Sequence, residues 1–292
     1  MDSGKKITYL TIPGVGGRLG NQLYYVLQAY LNSRCDCTCK YLINSAGREC
    51  GFMDTARLLN MEEFVAEQPL GTPVELVSDY YQRYGFNFSK SQLNGFIENT
   101  ILKSPFFAKM RDRYSDVCTD DVVCINIRNG DYLRMPAKRD FASFDRVDYI
   151  HRSLEKIGAL NFARLDVLSD DNRLNEKIYG RLFRSAFRNV RYLDSTNPPE
   201  DMLRLAFYKT RIITNSTFSY WGCYIGDCIG QDSVTVAPNY FTHHSLAADH
   251  CAPYWRIVDV RMNISAAVRA FGFRVVNAVK LFTRDVLSGR RF

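Results

Sequence analysis

The sequence predicts a parallel α/β protein in which two α/β halves face each other across a cleft. Short β-branched runs alternate with amphipathic helical segments along most of the chain, a pattern typical of a parallel sheet covered by helices. The first half opens with a strand and a glycine-rich turn, and the second opens with the apolar run at residues 122–127. Polar residues follow several predicted strands, and ligands bind outside the carboxyl ends of strands in open α/β sheets.

Length and composition fit a globular protein of two average domains. The chain has 292 residues, of which 46% are hydrophobic and 24% charged. The sequence contains no run of about 18 apolar residues, so it predicts no transmembrane helix. The N-terminal run is too short and polar for a signal peptide, and nine cysteines without a disulfide spacing suit a reducing compartment. We therefore expect a cytoplasmic protein.

The first half is organised by a strand, a glycine-rich turn and a helix. A strand at residues 7–12 leads into the turn at 13–22, and residues 23–31 carry apolar side chains at helical spacing. We expect Asn21 to cap this helix, whose free N–H groups favour an anion. Because the glycine spacing is neither that of a Rossmann turn nor that of a P-loop, a tight turn without a ligand is also open. The other elements expected here are a strand at 35–43 and helices at 53–65 and 103–114, with no strong period at 69–102.

In the second half, polar residues lie at the ends of three predicted strands. They are Arg128 with Asp131, Ser169 with Asp170 and Asp171, and Asn215 through Ser219. Arg suits phosphate because its guanidinium donates two parallel hydrogen bonds. Two acids after a strand can bind a metal, accept the N–H groups of a base, or cap the next helix. An Arg, hydroxyls at a helix N-terminus and a glycine turn together suit a nucleotide diphosphate. The remaining elements expected are helices at 147–154, 172–179 and 199–208, and strands at 165–169, 190–194, 211–214 and 234–238, the last of these ending the sheet.

Several motifs resemble, in the same order, those of the bacterial-type α-1,2-fucosyltransferases, glycosyltransferase family 11. The opening peptide at residues 17–23, Gly-Arg-Leu-Gly-Asn-Gln-Leu, also resembles its counterpart in protein O-fucosyltransferases. The peptide at 125–132 resembles the family's His-x-Arg-Arg-x-Asp sequence. Residues 169–171 and 215–221 resemble two further motifs, and Pro-Tyr-Trp at 253–255 resembles the family's usual end. The likeness extends over residues 7–258.

The resemblance implies a GT-B fold with two Rossmann-like domains, GDP-fucose as the donor, inversion at the anomeric carbon, and no metal or cofactor. Arg128 would bind the β-phosphate and stabilise the leaving GDP. Asn21, with Arg18 and the Gly20 backbone, would face the diphosphate and fucose. The remaining candidate substrate-binding residues are Ser216, Thr217 and Phe218 for phosphates and guanine, Asp170 or Asp171 for base or ribose, and the motif residues Gln22, Asn126, Ser169, Asn215 and Ser219.

Two positions depart from the family pattern. The family's His is Asn126 here, and its second Arg is Asn129. An Asn side chain forms hydrogen bonds but carries no proton or charge at neutral pH. Asp131 is a candidate base, and orienting Arg128 or capping the next turn is an equally open role. We expect transfer of fucose to the 2-OH of a galactose-like sugar in a glycan acceptor. Another linkage and an inactive GDP-sugar or glycan-binding homologue remain open.

We expect an acceptor-side domain at residues 1–115, a GDP-fucose-binding domain at 116–258 and a basic amphipathic helix at 259–292. From Ile264 to Val286 apolar residues recur every three or four positions, and from Arg256 onward eight Lys and Arg outnumber two Asp. Such a helix lies on an anionic membrane or docks on the first domain, so peripheral membrane contact through 264–287 is open. Nucleic acid is not an expected partner, since no aromatic-basic platform accompanies the charge. The acceptor-binding loops are expected within 69–102 and 132–144.

Overall fold

The computed structural model describes residues 7–11, 18–33, 38–43, 51–68, 74–76, 81–134, 141, 143–230, 232–242, 245–246 and 249–261. The basic tail at 264–287 lies outside these residues, so its contact with a membrane stays a prediction. Most of the glycine-rich turn, residues 12–17, also lies outside them. Within the described ranges, no helix combines the length and apolarity needed to cross a membrane.

The strands form two separate parallel sheets, which confirms the predicted GT-B type of α/β architecture. The first sheet contains β1 (Ile7–Thr11), β2 (Thr38–Leu42), β3 (Val65–Ala66) and β4 (Val74–Leu76). The second sheet contains β5 (Val122–Ile127), β6 (Arg164–Ser169), β7 (Asn189–Leu193), β8 (Thr210–Ile213), β9 (Val234–Pro238) and β12 (Arg256–Val258). Strands β10 (Tyr240–Thr242) and β11 (Ser245–Leu246) form a small antiparallel pair. The strand orders are β3-β2-β1-β4 and β12-β9-β8-β5-β6-β7. Every residue of β5 is buried, as expected for a central strand covered on both faces.

Helices separate the strands. They are α1 (Leu19–Asn32), α2 (Phe52–Leu58), α3 (Lys90–Asn99), α4 (Pro105–Arg113), α5 (Gly130–Arg134), α6 (Arg146–Ile157), α7 (Asn172–Ala186), α8 (Pro198–Ala206) and α9 (Thr217–Cys228). The prediction that Asn21 caps the first helix is wrong. Arg18 is the N-cap, with an extended backbone, and its carbonyl accepts hydrogen bonds from the N–H groups of Asn21 and Gln22. Asn21 therefore lies within the first turn.

Other element predictions need correction. The helix expected at 53–65 ends at Leu58, because the chain turns at Asn60 with φ 56° before β3. Helix α3 was not predicted, although Ser89 and Gln92 form a capping box at its start. The loop expected at 132–144 begins inside α5. The strand at 234–238 does not end the sheet, because β12 adds to it in parallel.

Helix α1 of the first half packs directly on α9 of the second. The rings of Tyr24 and Trp221, both fully buried, have centroids 5.1 Å apart. A Cβ atom on Gly20 would lie 2.6 Å from the carbonyl carbon of Thr217, too close for any real side chain. Only glycine permits this approach of helix to backbone. The chain passes from the first sheet to the second between β4 and β5, and a domain boundary at residue 115 stays a prediction.

We predict that Gly20→Ala lowers the free energy of unfolding by about 2 kcal/mol, because the added methyl meets main-chain atoms that no rotamer change can move. Gly95→Ala in α3 is the matched control. The nearest atom to its Cβ would be the Tyr30 hydroxyl at 3.8 Å, an ordinary contact, so the alanine should be neutral or stabilising. Urea unfolding of the two variants measures the difference. Equal stability of both would contradict the close approach at Gly20.

Candidate active site

Arg128 follows β5 at the carboxyl edge of the second sheet. Its backbone N–H donates to the Thr214 hydroxyl, 3.1 Å away, which ties it to the end of β8. Its Nη1 atom forms an ion pair with Oδ2 of Asp170 at 2.8 Å, and the two side chains are 20% and 26% exposed. The Tyr132 ring lies 5.9 Å from the guanidinium carbon. The adjacent ends of β5, β6 and β8 therefore bring the predicted Arg and the predicted acid together.

The two acids after β6 have different partners. Asp170 accepts the backbone N–H of Asn129 at 2.8 Å, and a Cβ atom on Gly130 would collide with its carboxylate. Asp171 accepts the N–H of Leu174 at 3.1 Å and caps α7. Capping, one of the roles left open by the sequence, is thus what Asp171 does here. No group of three His, Cys, Asp or Glu side chains within the described ranges is placed to hold a metal ion, and metal independence stays a prediction.

The two asparagines that depart from the family pattern are buried and form side-chain hydrogen bonds. Asn126 donates to the Leu168 carbonyl at 3.0 Å and accepts from the Ser219 hydroxyl at 2.5 Å. Asn129 donates to the Asn175 side-chain oxygen at 2.7 Å. Both are less than a tenth exposed. Each amide therefore joins neighbouring elements of the second half through hydrogen bonds between neutral groups.

Arg146, at the start of α6, is a site residue that the sequence analysis missed. Its Nη1 donates to the side-chain oxygen of Asn129 at 3.1 Å, and its Nη2 donates to the main-chain carbonyl of Arg128 at 2.7 Å. The side chain is buried. The sequence around Arg146 contains no motif that would predict a site residue. Its neighbour Asp145 indicates only the start of a helix, as the N-cap of α6. Arg146 therefore fixes the main chain that carries Arg128.

The first half contributes Asn21 to the site. The hydroxyl of Thr217, at the first position of α9, donates to the Asn21 side-chain oxygen at 2.8 Å, and the side-chain amide of Gln82 donates to the same oxygen at 3.2 Å. Gln82 is buried and was not predicted as a site residue, although it lies in the range 69–102 expected to contain acceptor loops. The opening motif and the hydroxyl-rich turn therefore contact each other in the structure.

Several hydrogen bonds hold the turn before α9. Asn215 donates its amide hydrogens to the carbonyls of Phe141 and Phe241, at 2.9 and 2.7 Å. Ser216 is buried and its N–H donates to the Thr214 carbonyl at 2.8 Å. Phe218 is partly buried and packs on the core. Arg128 is tied to this turn because its backbone N–H donates to the Thr214 hydroxyl, and the free N–H groups at a helix start favour an anion.

The remaining predicted site residues differ in their exposure and in their contacts. Arg18 is exposed at the start of α1, whereas Gln22 is buried. Ser169 donates to the Ile127 carbonyl at 2.7 Å and so joins β6 to β5. Asp131 belongs to α5, but its side chain lies outside the described part of the structure. Its proposed role as a base stays a prediction.

His250 lies beside the Gln82 segment and was also missed from the sequence. Its Nδ1 atom is 3.1 Å from the Gln82 carbonyl, and its ring centroid is 4.2 Å from that of Phe241. Burial lowers its pKa below the ordinary value of 6.5. The ring is therefore neutral at pH 7, with its Nδ1–H donating to the Gln82 carbonyl. His250 therefore contacts both Gln82, which binds Asn21, and Phe241 of β10, whose carbonyl binds Asn215.

We predict that His250 makes the folded protein less stable in acid. Since its folded pKa is lowered, the unfolded chain binds the proton first, so the free energy of unfolding falls as the pH drops below about 6.5. His250→Gln should show a shallower decline than the parent protein between pH about 7 and about 5. Chemical unfolding at several pH values measures it, with the exposed His151→Gln as the control. Parallel profiles for His250→Gln and the parent would contradict the lowered pKa.

Three solved structures similar to this chain are fucosyltransferases, and no curated protein sequence matches it. POFUT1 in complex with GDP is 14% identical with a TM-score of 0.37, over 66% of this chain and 59% of that one, so the chain spans less than two thirds of it. NodZ α-1,6-fucosyltransferase, known from Bradyrhizobium and soaked with GDP-fucose, is 13% identical with a TM-score of 0.43, over 76% and 93%. A mutant of Arabidopsis thaliana FUT1 in complex with GDP is 11% identical with a TM-score of 0.40, over 77% and 70%.

The sequence model of glycosyl transferase family 11 matches residues 81–257, more than half of the chain. This range contains β5 with Arg128, the Asp170 turn and the whole hydroxyl-rich turn before α9. The match and the motifs at these strand ends agree: this chain belongs to glycosyl transferase family 11.

Proposed function

We propose that this protein transfers fucose from GDP-fucose to a hydroxyl of a glycan acceptor, with inversion at the anomeric carbon. The observation that carries the proposal is the position of Arg128 at the carboxyl edge of the second sheet, where its backbone N–H donates to Thr214 in the turn before α9, in a chain of this family. A guanidinium and free helix N–H groups are suited to a diphosphate. In this proposal the sheet edge binds the GDP portion of the donor.

The chemistry requires stabilisation of the leaving group. The acceptor oxygen forms a bond to the anomeric carbon, while the bond from that carbon to the β-phosphate oxygen breaks and leaves its electron pair on GDP. Arg128 would neutralise the charge that develops on this oxygen, the task that a metal ion performs in other enzymes. Its five N–H donors suffice to bind phosphate while one remains on Asp170.

We propose an α-1,2 linkage to a galactose-like sugar, on the strength of the motif resemblance. Another linkage is the alternative within the same class, and the identity of the acceptor follows from the product. The first experiment is to follow GDP release from GDP-fucose by the purified protein with and without a panel of β-galactosides. Linkage analysis of the product decides between the linkages, and an unchanged rate in EDTA would support a reaction without a metal.

A GDP-sugar-binding protein without turnover is the second candidate function. The observation that favours it is the engagement of Asn126 and Asn129 in buried hydrogen bonds, where the family pattern has His and Arg. Neither amide carries a proton or a charge to the reacting atoms. Tight GDP binding with no acceptor-dependent release would select this candidate over the transferase.

We predict that Arg128→Ala slows turnover at least about a hundredfold and weakens GDP binding, because the charge on the leaving phosphate loses its partner. Arg128→Lys should retain some binding but little rate, since the bidentate geometry is lost. Arg184→Ala, which removes an exposed Arg paired with Glu176, is the matched control. GDP calorimetry and initial rates measure both effects. Wild-type kinetics in Arg128→Ala would refute the assignment.

We predict that Asp170→Asn binds inorganic pyrophosphate about tenfold more tightly, because the variant leaves the charge of Arg128 unopposed. The asparagine oxygen can still accept the N–H of Asn129, so the turn should be retained. Measuring GDP alongside separates two roles. If Asp170 also binds the ribose or base, GDP affinity should fall or stay level while pyrophosphate affinity rises. No gain for pyrophosphate would mean that Asp170 does not limit the charge of Arg128.

A further inference from the structure

Arg146 is a buried cation without a carboxylate partner among the described residues. It is 8% exposed. Its hydrogen bonds go to two neutral acceptors, the Asn129 side chain and the Arg128 carbonyl. Its Nε atom has no hydrogen-bond partner. A charge buried in this way is costly unless another charge compensates it.

Elsewhere in the second half, buried charged side chains such as those of Arg211 and Asp166 are paired. Arg211, fully buried, has its Nη2 atom 2.6 Å from Oδ1 of Asp227. Arg191 donates two hydrogen bonds of 2.8 Å to the fully buried Asp166. These pairs are the usual solution for a charge in a protein interior. Arg146 differs from both, and the difference lies next to the proposed donor site.

The other cation of the candidate site, Arg128, is paired with a carboxylate. Arg128 and Asp170 form an ion pair of 2.8 Å, so together they carry no net charge. The guanidinium of Arg146 contacts the main chain of Arg128 itself. Arg146 therefore places beside the Arg128–Asp170 pair a positive charge that no carboxylate among the described residues pairs with. An anion bound at this edge would compensate it.

We propose that Arg146 is a positioning residue of the donor site and supplies an unpaired positive charge toward the diphosphate. It holds the carbonyl of Arg128, and so the direction of the Arg128 side chain, and its own charge is compensated when the diphosphate binds. This inference rests on the proposed function, since it takes GDP-fucose as the ligand of the edge. It adds a residue that the family motifs at residues 125–132 do not contain.

A purely structural role makes different predictions. If Arg146 only fastened the Arg128 turn, its removal would weaken charged and uncharged ligands alike and would leave the salt dependence of binding unchanged. If it supplies charge, the loss should be confined to phosphate-bearing ligands and should shrink as salt screens the attraction.

The test compares Arg146→Gln, Arg146→Lys and the full-length parent by calorimetry with GDP and guanosine, each at low and high salt. Arg152→Gln, on the same helix and with the same change in formal charge, is the matched control, since Arg152 pairs with Asp148. We expect Arg146→Gln to bind GDP at least about tenfold more weakly at low salt, with a flatter salt dependence and unchanged guanosine affinity. Arg146→Lys keeps the charge but not the two-nitrogen geometry, so its loss of GDP affinity should be smaller than that of Arg146→Gln and within about tenfold, and Arg152→Gln should not change.

Other outcomes overturn the inference in distinguishable ways. Parental GDP affinity in Arg146→Gln refutes it and leaves the proposed function intact. Equal losses of GDP and guanosine affinity assign Arg146 a structural role only. If Arg146→Gln does not fold, the test rests on Arg146→Lys, which keeps the positive charge. A loss of GDP affinity greater than about tenfold in this variant, with the salt dependence of the parent, would refute a role for the charge. A parent protein that binds no GDP refutes the proposed function, and this inference with it.

Discussion

The contact between the backbone of Gly20 and that of Thr217 and Phe218 is the constraint on which the rest of the site depends. It brings the first turn of α1 against the first turn of α9, and so sets where the first half meets the second. Asn21, one residue further, then reaches the Thr217 hydroxyl. Gln82 reaches the same oxygen from another segment. A side chain at residue 20 would force α1 away from α9 and so move Asn21 away from Thr217.

The charges of the site are arranged around the end of β5. Asp170, after the neighbouring strand, forms an ion pair with Arg128, and Arg146 donates a hydrogen bond to the main-chain carbonyl of Arg128. The departures from the family pattern fit this arrangement, because Asn126 and Asn129 act as neutral cross-links between elements. Asn126 and Asn129 consequently supply no charge to the reacting atoms in the proposed reaction.

The end of the described chain is tied to the same helix. The indole N–H of Trp255 donates to Asp227 at 2.7 Å, and Asp227 also pairs with Arg211. Arg211 leaves no room for a side chain at Gly226. The Pro-Tyr-Trp peptide that resembles the family's usual end therefore has a structural part here, because it anchors the last strand of the sheet to α9. The helix that carries the candidate phosphate-binding turn is fixed at both ends.

The sequence by itself determined the parallel α/β class, the buried strand before Arg128 and the motifs at the strand ends, because β-branched runs, helical periodicity and glycine turns are local signals. It did not reveal helix α3, whose capping box lies in an aromatic stretch without a strong period, or the cap at Arg18, which is set by backbone conformation. Only the tertiary structure decided that Asp170 pairs with Arg128, that Asp171 caps a helix, and that Arg146, Gln82 and His250 border the site. These partners are far apart in sequence, as Gln82 and His250 are by 168 residues. Which of them meet depends on how the sheets and helices pack, and no local pattern encodes that.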